Sequence, residues 1–356
     1  MFLGPAGCGA TPQLEDNIDF LLNWSPLPFP FVSQDDVLHS PYVKGATFSI
    51  SVLDNGDFNN SDLKTWTLES SAPEVLQIIG TPQALRADVA AVGVGASDLI
   101  VRDGDHQVLR TRRVEVRAPD SALVLSHGPL LIGESDADAA VDGVRVRIGG
   151  TATFMLKWFS GTEELAGNGV LSVARSGTVD IKTPETMFFE HRDWLQVTPT
   201  DATPVDLHLL ADGIDVRPLV VIPAAPGEVS SVGIFGDSER GASKGEQLVL
   251  LGEAFDSSGS NVLGVDFFWD VDGSTVPGFG DVLRYDFTPT HPAMLTATSF
   301  DGPAASVAVH EGNAAASSSN DVGCSISGRA RNGTAALWAL LIALALSARP
   351  LRRRSR

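Results

Sequence analysis

Cysteine is almost missing from this chain: Cys8 and Cys324, near opposite ends, are the only two in 356 residues. One thiol at each end cannot staple the body, so the folded part must rest on hydrophobic cores and not on a disulfide framework. Basic residues are scarce as well. The chain carries 44 Asp+Glu against 25 Lys+Arg, and seven of those cations are arginines of the last 33 residues. That leaves 18 against 44, a net charge of −26, on everything before Cys324. A body this acidic has no bulk attraction for nucleic acid or anionic headgroups, which excludes nucleic acid as a partner.

The apparatus of catalysis is also lacking. The seven histidines, His39, His106, His127, His191, His208, His291 and His310, are scattered, and no His-Glu-x-x-His, Gly-x-Ser-x-Gly or phosphate-loop pattern occurs. Ser61-Asp62-Leu63-Lys64 has the Ser-x-x-Lys spacing of serine acyl-enzymes, but it falls between strands and its partner motifs are absent. Glu190-His191-Arg192-Asp193-Trp194 is the densest polar cluster beside an aromatic, and it reads as a strand edge or loop with solvated charges. The chain therefore reads as a non-enzyme. The rival class is an exported enzyme or inhibitor whose active site is assembled from loops.

Almost no helical periodicity precedes residue 330, and a weak repeat of about 100 residues runs through the body instead. Its marks are Val43–Val52, Ile148–Trp158 and Ser243–Leu250, each opening on glycine, with Phe48, Ile50 and Val52 alternating with small polar residues in the first. A period of two puts one set of side chains on a buried face and the other in water, the pattern of a half-buried strand. Tryptophan follows in the first copy at Trp66 and in the third at Trp269, where Val265, Phe267, Trp269 and Val271 share one face and Asp266, Asp270 and Asp272 the other. The middle copy instead has Trp158 and Trp194. Short strands punctuated by Gly, Asp, Asn and Pro every eight to twelve residues predict an all-β fold of tandem sandwiches.

The predicted organisation is a sandwich over 20–118, a divergent one over 119–223 and a third over 224–310, with proline-stiffened joints at Ala118-Pro119-Asp120 and Pro223-Ala224-Ala225-Pro226. An Ala/Ser-rich spacer follows at 311–323 and a tail at 324–356. Calcium is the only cofactor with support. Asp54, Asp57, Asn59 and Asp62 place oxygens at alternating positions of a glycine-containing loop, as hard cations require, although an Asx-rich hairpin loop has the same composition. Glu134-Ser135-Asp136-Ala137-Asp138 reads as a solvated loop.

The strand, Trp66–Val75 and the return strand Gly93–Val101 resemble bacterial Ig-like domains of surface proteins, and Trp269-Asp270-Val271-Asp272-Gly273 is similar to polycystic-kidney-type Ig-like repeats. The resemblance implies an Ig-like β-sandwich fold and a role as spacer, adhesive or interaction module, with a surface protein or carbohydrate as ligand. In the tail, Gly323-Cys324-Ser325, an apolar run over 335–348 and Arg349, Arg352, Arg353, Arg354 and Arg356 closely resemble the MYXO-CTERM sorting signal. That likeness implies processing and lipidation at Cys324 beside Gly323, by a sorting peptidase and membrane lipid, with delivery to the outer surface. The arginines hold their end in the cytoplasm of the precursor, because translocating guanidinium groups is costly. The run is about 21 Å long at 1.5 Å per residue, short of the roughly 30 Å hydrocarbon core, so it crosses only a thinned bilayer. At the other end, Leu3–Gly9 looks like the remnant of a lipoprotein signal with Cys8 as a second lipidation candidate, so residues 1–19 are expected to follow an upstream start.

Overall fold

The computed structural model describes residues 18–22, 40–54, 67–83, 86–183, 192–236, 245–277, 279–286 and 293–309. They form three β-sandwiches. The first contains β1 (Ile18–Leu22), β2 (Tyr42–Val43), β3 (Thr47–Asp54), β4 (Thr67–Ser70), β5 (Leu76–Gln83), β6 (Arg86–Ala91), β7 (Gly95–Arg102) and β8 (Val108–Arg117). Sheet order is β1-β3-β6-β5 in one layer and β2-β8-β7-β4 in the other. Phe48 and Ile50, two inward positions of the alternating strand, close on Leu76, Val89, Leu99, Val101, Val114 and Val116. Strand β2 also pairs in parallel with β8, and the ring of its Tyr42 stacks on Phe48 at 3.9 Å.

The second sandwich holds β9 (Ser121–Ser126), α1 (His127–Leu131), α2 (Asp136–Ala139), β10 (Gly143–Arg147), β11 (Ala152–Ser160), β12 (Glu163–Leu165), β13 (Leu171–Ser176), β14 (Val179–Lys182), β15 (Asp193–Pro199), β16 (Val205–Ala211) and β17 (Ile214–Ala224). Strand β11 is its centre, pairing with β9, β12 and β15. Its Phe154, Leu156 and Trp158 are fully buried in the main core. Met155, on the opposite face, is buried as well, in a separate small cluster with Leu125, Ala139 and Trp194. The strand is thus apolar on both faces, which is why its pattern departs from simple alternation. The two short helices, not expected from the sequence, lie where that second face is closed: α1 supplies Leu130 and α2 Ala139.

The third sandwich comprises β18 (Val229–Gly236), β19 (Gln247–Asp256), β20 (Asn261–Leu263), β21 (Phe267–Val271), β22 (Ser274–Thr275), β23 (Val282–Asp286), β24 (Ala293–Ser299) and β25 (Ala304–Val309). Phe267, Trp269, Leu295 and Ala297 from one layer meet Leu248, Leu250, Ala254 and Leu283 from the other. Trp269 is 3% exposed and its Nε1 donates to the Gly280 carbonyl at 3.0 Å. The glycines that open the three repeats, Gly45, Gly149 and Gly245, all have positive φ, at 92°, 78° and 84°. A side chain there would strain the left-handed turn that feeds each strand.

One sheet does not stop at a domain border. Strand β10 pairs in parallel with β17 of its own sandwich, Gly143 beside Val220 through Arg147 beside Ala224. On its other edge it pairs in parallel with β20, Arg145 beside Val262 and Val146 beside Leu263. The order β13-β16-β17-β10-β20-β19-β18, with β23 added on β19, therefore runs unbroken from the second sandwich into the third.

Candidate functional site: an exposed aromatic face on the third sandwich

Most residues singled out by the sequence lie outside the described residues: Cys8, Asp57, Asn59, Asp62, Ser61, Lys64, Trp66, Glu190, His191, Gly323, Cys324, the run 335–348 and Arg349, Arg352, Arg353, Arg354 and Arg356. Asp54 is the last residue of β3. Among the described residues no group of three or more His, Cys, Asp or Glu is placed to hold a metal. No helix among them is long and apolar enough to cross a membrane. The segment 134–138, expected as a solvated loop, instead opens α2, where Ser135 Oγ donates to Asp138 at 2.6 Å and Asp136 pairs with Lys157 at 2.6 Å.

Of the polar cluster expected at a solvated edge, Asp193 and Trp194 are buried and Arg192 is partly exposed, while Glu190 and His191 lie outside the described residues. Asp193 is 7% exposed and Trp194 3%. The Asp193 carboxylate accepts from Trp158 Nε1 and from the Gly169 N–H, each at 2.8 Å, and from the Val170 N–H at 3.4 Å. It ties the core tryptophan of β11 to the turn before β13. Burial pushes its pKa up, against the opposing pull of these hydrogen bonds. Strands β11 and β15, which carry Trp158 and Asp193, pair directly, a juxtaposition that no local stretch of sequence displays. Trp194 meets His127 edge-on at 5.0 Å, and its buried Nε1 has no hydrogen-bond partner among the described residues.

The joints between sandwiches are built from shared backbone and charge. At the first, Val43 N–H donates to Ala166 and Ala166 N–H to Pro41, at 2.8 and 2.9 Å, while Val43 and Ala46 are buried in the core of the second sandwich. Lys44 pairs with Asp212 and Arg117 with Glu163, both at 2.6 Å. At the second joint Arg147 grips Asp301 through two parallel bonds, Nε to Oδ2 at 2.7 Å and a terminal nitrogen to Oδ1 at 2.8 Å. Arg145 pairs with Glu228 and, at 3.2 Å, with Asp256. The backbones touch where Gly150 meets Gly264: a Cβ on Gly150 would lie 1.9 Å from the Gly264 oxygen. A cavity of about 30 Å³ remains between α1 and β19–β21, lined by Gly128, Leu251, Glu253, Asn261 and Asp281 among others. It has room for about one or two waters and none for an organic ligand.

Beside this joint the third sandwich exposes a cluster of phenylalanine. Phe268 is 46%, Phe300 44% and Phe279 67% exposed. Phe268 and Phe300 stack at 4.4 Å, and Phe279 tilts against Phe300 at 5.5 Å. Each comes from a different segment, and each segment is tied down. Phe268 projects from β21 opposite Thr298 of β24, on the outward side of the alternation that buries Phe267 and Trp269. The Phe300 N–H donates to the Asp266 carbonyl at 3.2 Å, and the next residue, Asp301, is the one held by Arg147. Beside Phe279, the Gly280 N–H donates to the Phe267 carbonyl at 3.1 Å. Along the same outward face run Asp270, Met294 and Thr296. The sequence displayed these phenylalanines, but only the fold brings positions 268, 279 and 300 together.

No family model matches the chain, and no curated protein sequence does. Among solved structures the chain is similar to FdeC, an Escherichia coli adhesin, at 14% identity over 82% of this chain and 96% of that one, with a TM-score of 0.26. It is similar to domains 4–9 of the surface layer protein SbsC at 16% identity, over 83% of this chain and 47% of that one, TM-score 0.30. InvD of Yersinia pseudotuberculosis matches at 12% identity over 84% and 99%, TM-score 0.24. Likeness at this level is confined to β-structure, and no function of this chain follows from it.

Proposed function

We propose that this chain is exported and acts at the cell surface as a non-enzymatic interaction module, with three sandwiches holding an aromatic recognition face clear of the envelope. The observation that carries the reading is the cluster of Phe268, Phe279 and Phe300 at the surface. Large aromatics that stay clustered in water mark contact surfaces more often than scattered apolar residues do. The loops bearing them are locked to β21 and to Arg147, so a partner meets a preformed surface and little ordering entropy is lost on contact.

The anchoring half of the proposal rests on the tail. Cys324, next to Gly323, is the position of processing and lipid attachment, served by a sorting peptidase and membrane lipid. An acidic body has no affinity of its own for an anionic surface, and stable attachment takes more than one acyl chain. The test is made on intact cells. A membrane-impermeant amine-reactive biotin should label the chain, and mass spectrometry of the mature protein should find residues 335–356 gone. Cys324→Ser should abolish tail removal. If that variant is still trimmed and still held at the surface, sorting through the thiol is wrong; if wild type takes no label, the surface location is wrong.

A further inference from the structure

The aromatic face has a charge of one sign around it. The four strands of the layer that carries it, β21, β22, β24 and β25, contain no lysine or arginine. Asp270 lies on the outward side of β21, Asp266 and Asp272 flank that strand and Asp301 lies between β24 and β25, whereas Asp281 lines the cavity at the joint and Asp286 shares β23 with Arg284, the one cation of residues 257–309. Arg284 sits on β23, in the opposite layer of the sandwich. Arg147, the cation that reaches this region from the second sandwich, is occupied by Asp301. Asp270 lies two residues from Phe268 on the same strand face, half-buried and beside Thr296.

Resting on the surface-module reading above, we propose that the Phe268–Phe279–Phe300 face docks a polypeptide surface that combines basic side chains with apolar anchors. Phenylalanine faces attract Lys and Arg through the ring quadrupole, and more strongly when the cation is partly desolvated. A carboxylate on the same face adds a directed partner for the guanidinium or ammonium group. The apolar anchors are needed because solvent-exposed charge pairs alone contribute little, while clustered aromatic contacts supply most of the energy in protein interfaces. A second copy of this chain fits poorly, since two bodies of net charge −26 repel one another.

The experiment is fluorescence anisotropy on the full-length chain with three labelled peptides of equal length: alternating arginine and leucine, the same with glutamate for arginine, and the same with serine for leucine. The double variant F279S/F300S alters only half-exposed or exposed rings, and its melting temperature is checked beside the wild type. D270N removes the adjoining charge without touching the rings. The arginine–leucine peptide should bind wild type at least tenfold more tightly than it binds F279S/F300S, and at least tenfold more tightly than either control peptide binds wild type. D270N should weaken it severalfold, and added salt should weaken it further.

Equal binding to wild type and F279S/F300S would assign the attraction to the acidic body at large and overturn the inference, as would failure of the peptide to bind. Equal binding of the glutamate peptide would overturn the basic partner and leave the surface-module reading intact, because the face would then be apolar without charge preference. Sedimentation showing dimers of wild type and monomers of the variant would put a second copy on this face instead. Failure of biotin labelling on intact cells sinks the surface reading independently of all these outcomes.

Discussion

The two tryptophans of the second sandwich are both buried, yet they should answer mutation to very different degrees. Trp158 donates to the buried Asp193 carboxylate, so Trp158→Phe removes a charge-assisted bond and leaves a small void, at a cost of about 2–4 kcal/mol. Trp194 Nε1 has no partner among the described residues, so Trp194→Phe relieves an unsatisfied donor while losing some packing, and stability should change by less than about 1 kcal/mol. Denaturant midpoints of the two variants decide this. Asp193 itself should leave a signature in pH. Its carboxyl is raised in the folded state by burial, so the native protein binds the proton more tightly than the unfolded chain. Its contribution to stability is therefore largest below the unfolded carboxylate value of about 4 and declines as pH rises from there towards the folded value. Subtracting the pH profile of Asp193→Asn from that of wild type should show this downward slope; a flat or rising difference would mean that the hydrogen bonds outweigh burial. None of this was visible at 190–194, where charge density alone suggested solvent, because burial of a carboxylate depends on donors from positions 158, 169 and 170 that are distant in sequence.

At the scale of elements, the strands that opened each repeat were legible. Phe48 and Ile50 in β3, Phe154, Leu156 and Trp158 in β11, and Leu248 and Leu250 in β19 are buried as the alternation requires. The period of two survives in sequence because each strand needs one apolar face wherever it is placed. The short helices were not legible: five and four residues are too few for a 3.6-residue period to register. Nor was the bond between β10 and β20, since a pairing partner leaves no mark on a five-residue strand. That junction yields a contrast between neighbours. Gly149 has φ 78° and open space where a Cβ would stand, so Gly149→Ala should cost about 1 kcal/mol from the left-handed backbone alone. At Gly150 the Cβ would collide with backbone, and Gly150→Ala should cost about 3 kcal/mol or more, by forcing β10 and β20 apart. Thermal melts showing the two alanine variants alike would mean that the close approach of Gly150 and Gly264 is not kept in solution.

For the whole molecule, the unbroken sheet predicts that the second and third sandwiches unfold together. Amide hydrogen exchange of β11 and of β21 reports separately on the two cores in the wild-type chain, and the denaturant transitions of the two sets of amides should coincide. Arg147→Ala removes the bidentate grip on Asp301, at a cost of about 2 kcal/mol, and should draw the two transitions apart. Transitions already separate in the wild type would show that strand pairing across the joint does not couple the cores. By itself the sequence determined the composition of the chain and its local period: a body without a disulfide framework, strands in place of long helices, and a net charge of −26 before Cys324. These are matters of composition and local period, which every short window carries. Only the tertiary structure decided that a strand of one sandwich is also a strand of the next. It alone decided, too, that an acid beside a tryptophan is buried and that three phenylalanines 11 to 32 residues apart share one exposed face. Each of these depends on contacts between distant segments, whose energy is set by where the folded chain brings them and not by the residues adjacent to them.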